Sequence, residues 1–224
     1  MPSFFRAPLF ALRVGLVLLT ASSCAGCNVV GHLQAGPVFA ASSVDLGEAS
    51  RPARYSGGIE ATGSFDLDFA AGDAFLESRP QPDHAQRLGP TEAVYLRGTS
   101  EGVGGGVRGG FFVAGTNTDW MGRIALALDG GFASYEGRPY GALGATAAVT
   151  GGFTVDKSYD PKAWWLCRSL TYLTFTLEGS YQRLPDGPEQ GVDVWSAGLL
   201  VGLAALDDGG APSDAANATT RCPR

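Results

Sequence analysis

The sequence predicts an all-β protein, an antiparallel up-and-down β-barrel of about eight strands, with a two-sheet β-sandwich as the alternative. Three observations lead to this prediction. Segments of alternating apolar and polar residues recur along the chain, turn residues separate them, and no long segment has the period of a helix. Closing a meander of eight strands removes its unpaired edges, whereas a sandwich uses the same number of strands in two layers.

The composition is compatible with one domain that presents few charges to water. Only 17% of the 224 residues are charged, less than the roughly 25% of soluble domains. Lysine occurs only at Lys157 and Lys162. The formal net charge of -6 argues against a basic patch that neutralises phosphates, so we expect no nucleic-acid partner.

Residues 1–23 have the order of a secretory signal peptide. Arg6 and Arg13 precede an uncharged apolar run from Val14 to Ala21, which is too short to span a bilayer. We therefore predict an exported chain whose first 23 residues lie outside the folded domain.

Small residues then precede a cysteine, in the segment TASSC that ends at Cys24. This segment resembles the bacterial lipobox. The resemblance implies that cleavage leaves Cys24 as an acylated N-terminus and that residues 24–28 form a lipid-anchor segment. Ala25 stands where some inner-membrane lipoproteins carry a retaining aspartate, so the resemblance favours the outer membrane. Plain signal cleavage without lipidation is the first alternative, and an uncleaved membrane anchor is the second.

Three cysteines remain if Cys24 is acylated, namely Cys27, Cys167 and Cys222. An exported chain meets an oxidising compartment, where disulfides persist. We favour the pair Cys167–Cys222, which closes a loop of about 56 residues and is worth about 4 kcal/mol in the chain-entropy model. The cysteine and histidine spacings follow no metal-binding pattern, so no metal or other cofactor is predicted.

Eight extended segments follow one another in residues 29–206, the predicted barrel domain. The first four are VVGHLQAGPVFAAS at 29–42, RYSGGIEATGSFDLDFA at 54–70, EAVYLRGTS at 92–100 and GVGGGVRGGFFVAGT at 102–116. Residues 71–91 separate the second segment from the third. They are rich in proline and polar residues, so we predict a long link there.

The other four segments have the same alternation and shorter links. They are WMGRIALALDGGFASY at 120–135, YGALGATAAVTGGFTV at 140–155, LTYLTFTLEGSYQR at 170–183 and VDVWSAGLLVGLAAL at 192–206. Several reach 14–16 residues, enough for the 9–11 that a tilted membrane-spanning strand requires. Residues 207–224 are predicted to be a polar C-terminal tail.

The residues on the polar side of these strands, which we call the polar parity, indicate that the apolar side points outward. The polar parity consists mainly of glycine, alanine, serine and threonine, which suit a crowded concave lumen. Single charges on this parity can pair across the lumen: Glu60, Asp66, Asp68, Arg97, Arg123, Asp129 and Glu178. Aromatic residues near the strand ends are candidates for the interfacial girdles of a membrane barrel: Tyr55, Trp120, Tyr135, Tyr140, Trp164, Trp165, Tyr172 and Tyr181.

Residues 29–206 thus resemble the small eight-stranded outer-membrane barrels of Gram-negative bacteria. The segment SAGLLVGL from Ser196 to Leu203 is similar to the assembly signal in their last strand. The resemblance implies an outer-membrane protein in contact with membrane lipid, with a structural or interaction role and a lumen filled by side chains. Its protein partner is not predicted. The alternative is a lipid-tethered soluble periplasmic barrel that binds a small hydrophobic ligand in an apolar interior.

No catalytic residues are predicted, and a lipid-modifying barrel hydrolase is the second alternative. His32 with Ser56 or Ser180 and Glu60 or Glu178 would supply its residue types, but no motif links them. The segment Gly104–Gly109 matches G-x-G-x-x-G. A dinucleotide site needs a helix after that loop. The segment is followed by a strand pattern, so we predict a glycine-rich strand.

Overall fold

The computed structural model describes residues 28–44, 53–68, 85–117, 119–159, 168–187 and 191–207, and these form eight antiparallel strands. Each strand pairs with the next and the last pairs with the first, so the sheet is a closed barrel. The predicted fold class is therefore confirmed, and the sandwich is wrong. The strands are β1 (Asn28–Val44), β2 (Arg54–Asp68), β3 (Ala85–Thr99), β4 (Gly102–Thr116), β5 (Trp120–Tyr135), β6 (Arg138–Tyr159), β7 (Arg168–Leu184) and β8 (Val192–Asp207).

The third strand starts seven residues earlier than the sequence predicts. The sequence predicts a link at residues 85–91 because the segment 71–91 is rich in proline and polar residues. In the structure they pair with β4, whereas the ladder between β2 and β3 ends at Thr91. Pro90 therefore lies beyond that ladder, a position that suits a residue without an N–H group.

The turn between β5 and β6 is a two-residue hairpin. Glu136 and Gly137 both have positive φ, 50° and 73°, as a type I′ turn requires. This turn and the one at 100–101 lie at the same end of the barrel, which we call the turn side. The end where the chain enters β1 and leaves β8 is the termini side.

The strands are strongly tilted. A path that follows paired residues once around the ring starts at Phe65 of β2 and returns to β2 at Tyr55, ten residues away. The path runs through Phe65, Glu92, Gly109, Leu128, Ala145, Tyr181, Trp195, Ala41 and Tyr55. A shear of this size in eight strands corresponds to a tilt of about 40° and to an interior that side chains just fill.

The outer surface is an apolar belt. Large apolar side chains from all eight strands are exposed, for example Leu33 at 71%, Phe111 at 69% and Leu177 at 64%. Phe65 is among them at 52%, so the apolar parity of β2 points outward as predicted; Phe69 lies outside the described residues. No helix in the described part of the chain is long and apolar enough to cross a membrane.

The aromatic girdle is only partly as predicted. Tyr55, Trp120 and also Trp195 are exposed near strand ends. Tyr135 and Tyr172 instead point into the barrel, where they are 4% and 0% exposed. They lie on the inward parity of β5 and β7, and strand parity decides the direction of a side chain whatever its type. Trp164 and Trp165 lie outside the described residues.

Apolar side chains pack together inside the barrel near both ends. The termini-side layer consists of Val30, Met121, Leu170, Tyr172, Ala204 and Leu206. The turn-side layer consists of Val44, Tyr135, Ala142, Leu184 and Val192. The polar residues of the inward parity lie between these two layers.

Candidate functional site

A cluster of two arginines and three carboxylates lies inside the barrel. We call Glu60, Arg97, Arg108, Asp129 and Glu178 the central cluster; each is at most 7% exposed. Arg108 donates from Nη1 to Glu178 Oε2 at 2.8 Å and from Nη2 to Glu60 Oε1 at 2.8 Å. Arg97 Nε donates to Glu60 Oε2 at 2.7 Å. These charge-assisted bonds connect β2, β3, β4 and β7 across the lumen.

Neutral side chains surround the central cluster. The Tyr95 ring lies 4.2 Å from the Arg108 guanidinium carbon, a cation–π contact, and the Tyr95 hydroxyl accepts a bond from Gln182 at 2.7 Å. Thr146 donates to Asp129 Oδ2 at 2.6 Å. Arg108 Nε and Asp129 Oδ1 are 3.5 Å apart, and neither has a hydrogen-bond partner among the described residues.

A second polar cluster contains His32 and lies nearer the termini side. His32 Nε2 is 3.1 Å from Asp66 Oδ2. Arg123 binds the same carboxylate in bidentate fashion, from Nε at 2.6 Å and from Nη2 at 2.7 Å, and also donates to Thr91 Oγ1 at 2.9 Å. Asp66 is therefore satisfied from two sides, so His32 has the role of a structural hydrogen-bond partner.

The space between the two clusters is nearly full. Gln34 donates to Thr174 at 3.0 Å and to Thr176 at 2.8 Å, and Thr176 bonds Thr150 at 2.8 Å. A cavity of about 40 Å³ remains there, lined in part by Arg108, Arg123 and Glu178. A space of that size holds one or two water molecules.

The interior charges agree with the sequence prediction, with some additions. Of the seven predicted residues, six are buried inside; the side chain of Asp68 lies outside the described set. Arg108, which makes more ion pairs than any other described residue, is absent from the predicted set because the segment Gly104–Gly109 is interpreted there only as a glycine-rich strand. Its parity, opposite to that of Phe111 and Val113, is the signal that could have found it. Arg87, also buried, donates to Thr116 at 3.2 Å.

The residue types of a hydrolase are present, but the structure does not assemble them into one site. His32 bonds Asp66, whereas Ser180 bonds Ser196 at 2.6 Å and Arg97 at 3.3 Å. Glu60 and Glu178 are held by the arginines of the central cluster. Ser56 lies near the turn side of β2. Gly104–Gly109 lies within β4, as the strand interpretation predicts.

Cys24, Cys167 and Cys222 lie outside the described residues, as does the signal segment 1–23. Within the ranges that the structure describes, no three histidine, cysteine, aspartate or glutamate residues are grouped to hold a metal ion.

One carboxylate lies on the outer face, in the apolar belt. Glu92 is the middle residue of β3, and its ladder partners Phe65 and Gly109 share the outward parity. Its Oε2 atom is buried and accepts no hydrogen bond from the described residues. Arg183 and Asp193, which are also on this face, lie near the turn side and form an ion pair at 3.0 Å.

No protein-family model and no curated protein matches this chain. Among solved structures, it is similar to the attachment invasion locus protein Ail of Yersinia pestis in complex with the heparin analogue sucrose octasulfate, at 11% identity and a TM-score of 0.25, over 79% of this chain and 98% of that one. It is also similar to the outer membrane protease OmpT of Escherichia coli, at 10% identity and a TM-score of 0.17, over 80% and 96% of the two chains. Similarity of this degree assigns no function.

Proposed function

We propose that this chain is an outer-membrane β-barrel with a structural or interaction role and no catalytic activity. It is exported by the signal segment 1–23 and anchored additionally through acylated Cys24, and membrane lipid is its immediate partner. One observation carries the proposal. The barrel is inverted relative to a soluble protein, because its charges lie inside and its large apolar side chains lie outside. Such a surface matches hydrocarbon, and a closed barrel leaves no strand edge unpaired there.

The geometry of the interior favours a filled barrel over an open channel or a ligand carrier. Ion pairs and hydrogen bonds occupy the middle of the lumen, and clusters of buried apolar side chains lie near both of its ends. A soluble periplasmic carrier of a hydrophobic ligand would need an apolar cavity. The cavity described between the clusters is small and has charged walls, so it counts against that alternative.

Phase partition of two proteins tests the membrane proposal. We expect the wild type and Cys24→Ala both to enter the detergent phase and to migrate differently on a gel before and after boiling, because the barrel itself is embedded. Labelled palmitate should be incorporated into the wild type only, which tests acylation separately. Release of Cys24→Ala into the aqueous phase would show a soluble barrel that is held by its lipid alone.

Glu92→Leu provides a second test because it removes the one carboxylate near the middle of the belt. We expect it to raise the free energy of unfolding from a bilayer by about 1–2 kcal/mol, since an acidic group deep in hydrocarbon is costly. Gln86→Leu, on the same face of β3 near the rim, should have little effect. Urea titration in lipid vesicles measures both. Destabilisation by Glu92→Leu would contradict a lipid-facing position for this residue.

A further inference from the structure

A groove of about 730 Å³ crosses the outer face of the barrel from β4 to β8. We call it the outer groove. Its floor consists of small residues on β6 and β7, Ala145, Ala147 and Gly179, and Gly109 on β4 extends the lining beyond Leu128. Its walls are larger side chains: Phe111, Leu126 and Leu128 on one side and Tyr181 and Trp195 on the other.

The outer groove is deep because glycine residues, which have no side chain, line part of it. A Cβ atom at Gly109 would meet no heavy atom within 4 Å, and one at Gly179 would meet only Ser196 O at 4.0 Å. Neither glycine is required by a close backbone contact, so both positions are open space. Leu126, at 63% exposure, stands beside this floor.

One end of the outer groove is polar. The rings of Tyr181 and Trp195 are 4.5 Å apart at the turn-side rim. Tyr181 donates its hydroxyl to Asp193 Oδ1 at 2.7 Å, and Arg183 donates to the same carboxylate at 3.0 Å. An aromatic pair beside charged groups is typical of the boundary between hydrocarbon and headgroups. The outer groove is thus apolar along its length and polar at one end, as a lipid molecule is.

The shape of the outer groove discriminates between occupants. A symmetric contact with a second copy needs a self-complementary patch, and a hollow does not complement itself. An added strand would need a free sheet edge, and the closed barrel has none. We propose that the outer groove binds one acyl chain of a membrane lipid, whose headgroup lies beside Arg183 and Asp193. This inference rests on the proposed membrane location.

A photoactivatable lipid tests the proposal. The full-length protein is reconstituted in phosphatidylcholine vesicles that contain a trace of phosphatidylcholine with a diazirine in its acyl chain. After irradiation, peptide mass spectrometry maps the labelled residues. We expect several-fold more labelling at the outer groove than on β1 and β2 of the opposite face. Gly179→Leu, which fills the groove, should abolish this excess.

Gly63→Leu is the matched control, because Gly63 also has no neighbour within 4 Å of a Cβ and lies on β2, away from the outer groove. It should leave the excess labelling unchanged, and heat-modifiable migration should show that both variants fold. Uniform labelling around the belt, or an excess that survives Gly179→Leu, would overturn the groove proposal alone. A wild-type dimer that Gly179→Leu dissociates would also overturn it. Absence of any labelling on the belt would instead contradict the membrane location.

Discussion

Arg108→Met is expected to lower the free energy of unfolding of the barrel by about 3–5 kcal/mol, the usual cost of removing one partner from a buried ion pair. Glu178 would lose its two bonds at 2.8 and 2.9 Å and retain only Arg97 at 3.9 Å. Glu60 would lose one of its two arginines, and Asp129 would lose its nearest cation. Urea unfolding in lipid vesicles, followed by tryptophan fluorescence, measures the loss.

Two further variants show whether the loss comes from unpaired buried charge. The double variant Arg108→Met/Glu178→Leu should recover part of the stability, because it removes a carboxylate that the single variant leaves unpaired. Arg183→Met breaks an ion pair on the outer face, where the Arg183 side chain is 39% exposed, and should cost far less stability than Arg108→Met does. If Arg108→Met cost no more than Arg183→Met, the central cluster would not stabilise the barrel.

Leu126→Arg is expected to destabilise the barrel in a bilayer by about 2–4 kcal/mol, because it places a cation at mid-depth in hydrocarbon. Leu126 lies near the middle of β5 and is 63% exposed on the apolar belt. In a soluble barrel the same side chain would meet water, and arginine would be tolerated there within about 0.5 kcal/mol. The sign and size of the effect therefore distinguish the two environments.

The control for Leu126→Arg is the same substitution at a residue near the membrane interface. Tyr55→Arg changes an outward residue that is 81% exposed at the turn-side end of β2. Near the interface a cation costs at most about 1 kcal/mol. Equal effects at Leu126 and Tyr55, measured by the same urea titration in vesicles, would contradict a bilayer that surrounds the belt.

Most of the strand architecture could be predicted because apolar and polar residues alternate so regularly along the chain. The bounds of β4 and β5 agree with the prediction, since the turns at both ends of each are short and carry turn residues. The predicted β3 is too short because Pro90 suggests a loop. In the structure Pro90 lies beyond Thr91, where the ladder between β2 and β3 ends. Tyr135 and Tyr172 were misplaced because residue type was weighed above parity.

The contacts inside the barrel could not be predicted from the sequence. Arg108 reaches Glu60 on β2 and Glu178 on β7, and these partners lie 48 and 70 residues away along the chain. Which charges face one another depends on the shear of ten residues, which strand parity does not fix. The outer groove could not be predicted for a similar reason, since Ala147 and Gly179 become neighbours only through the register of β6 and β7.

Pairing of β1 with β8 makes the barrel independent of which strand comes first in the chain. Val30 lies opposite Leu206, so both termini of the described barrel leave from the same rim. The ring is the same whichever strand is counted as the first. A protein in which a linker joins the end of β8 to the start of β1, and whose backbone is reopened at the turn 100–101, would therefore retain every ladder of the present barrel.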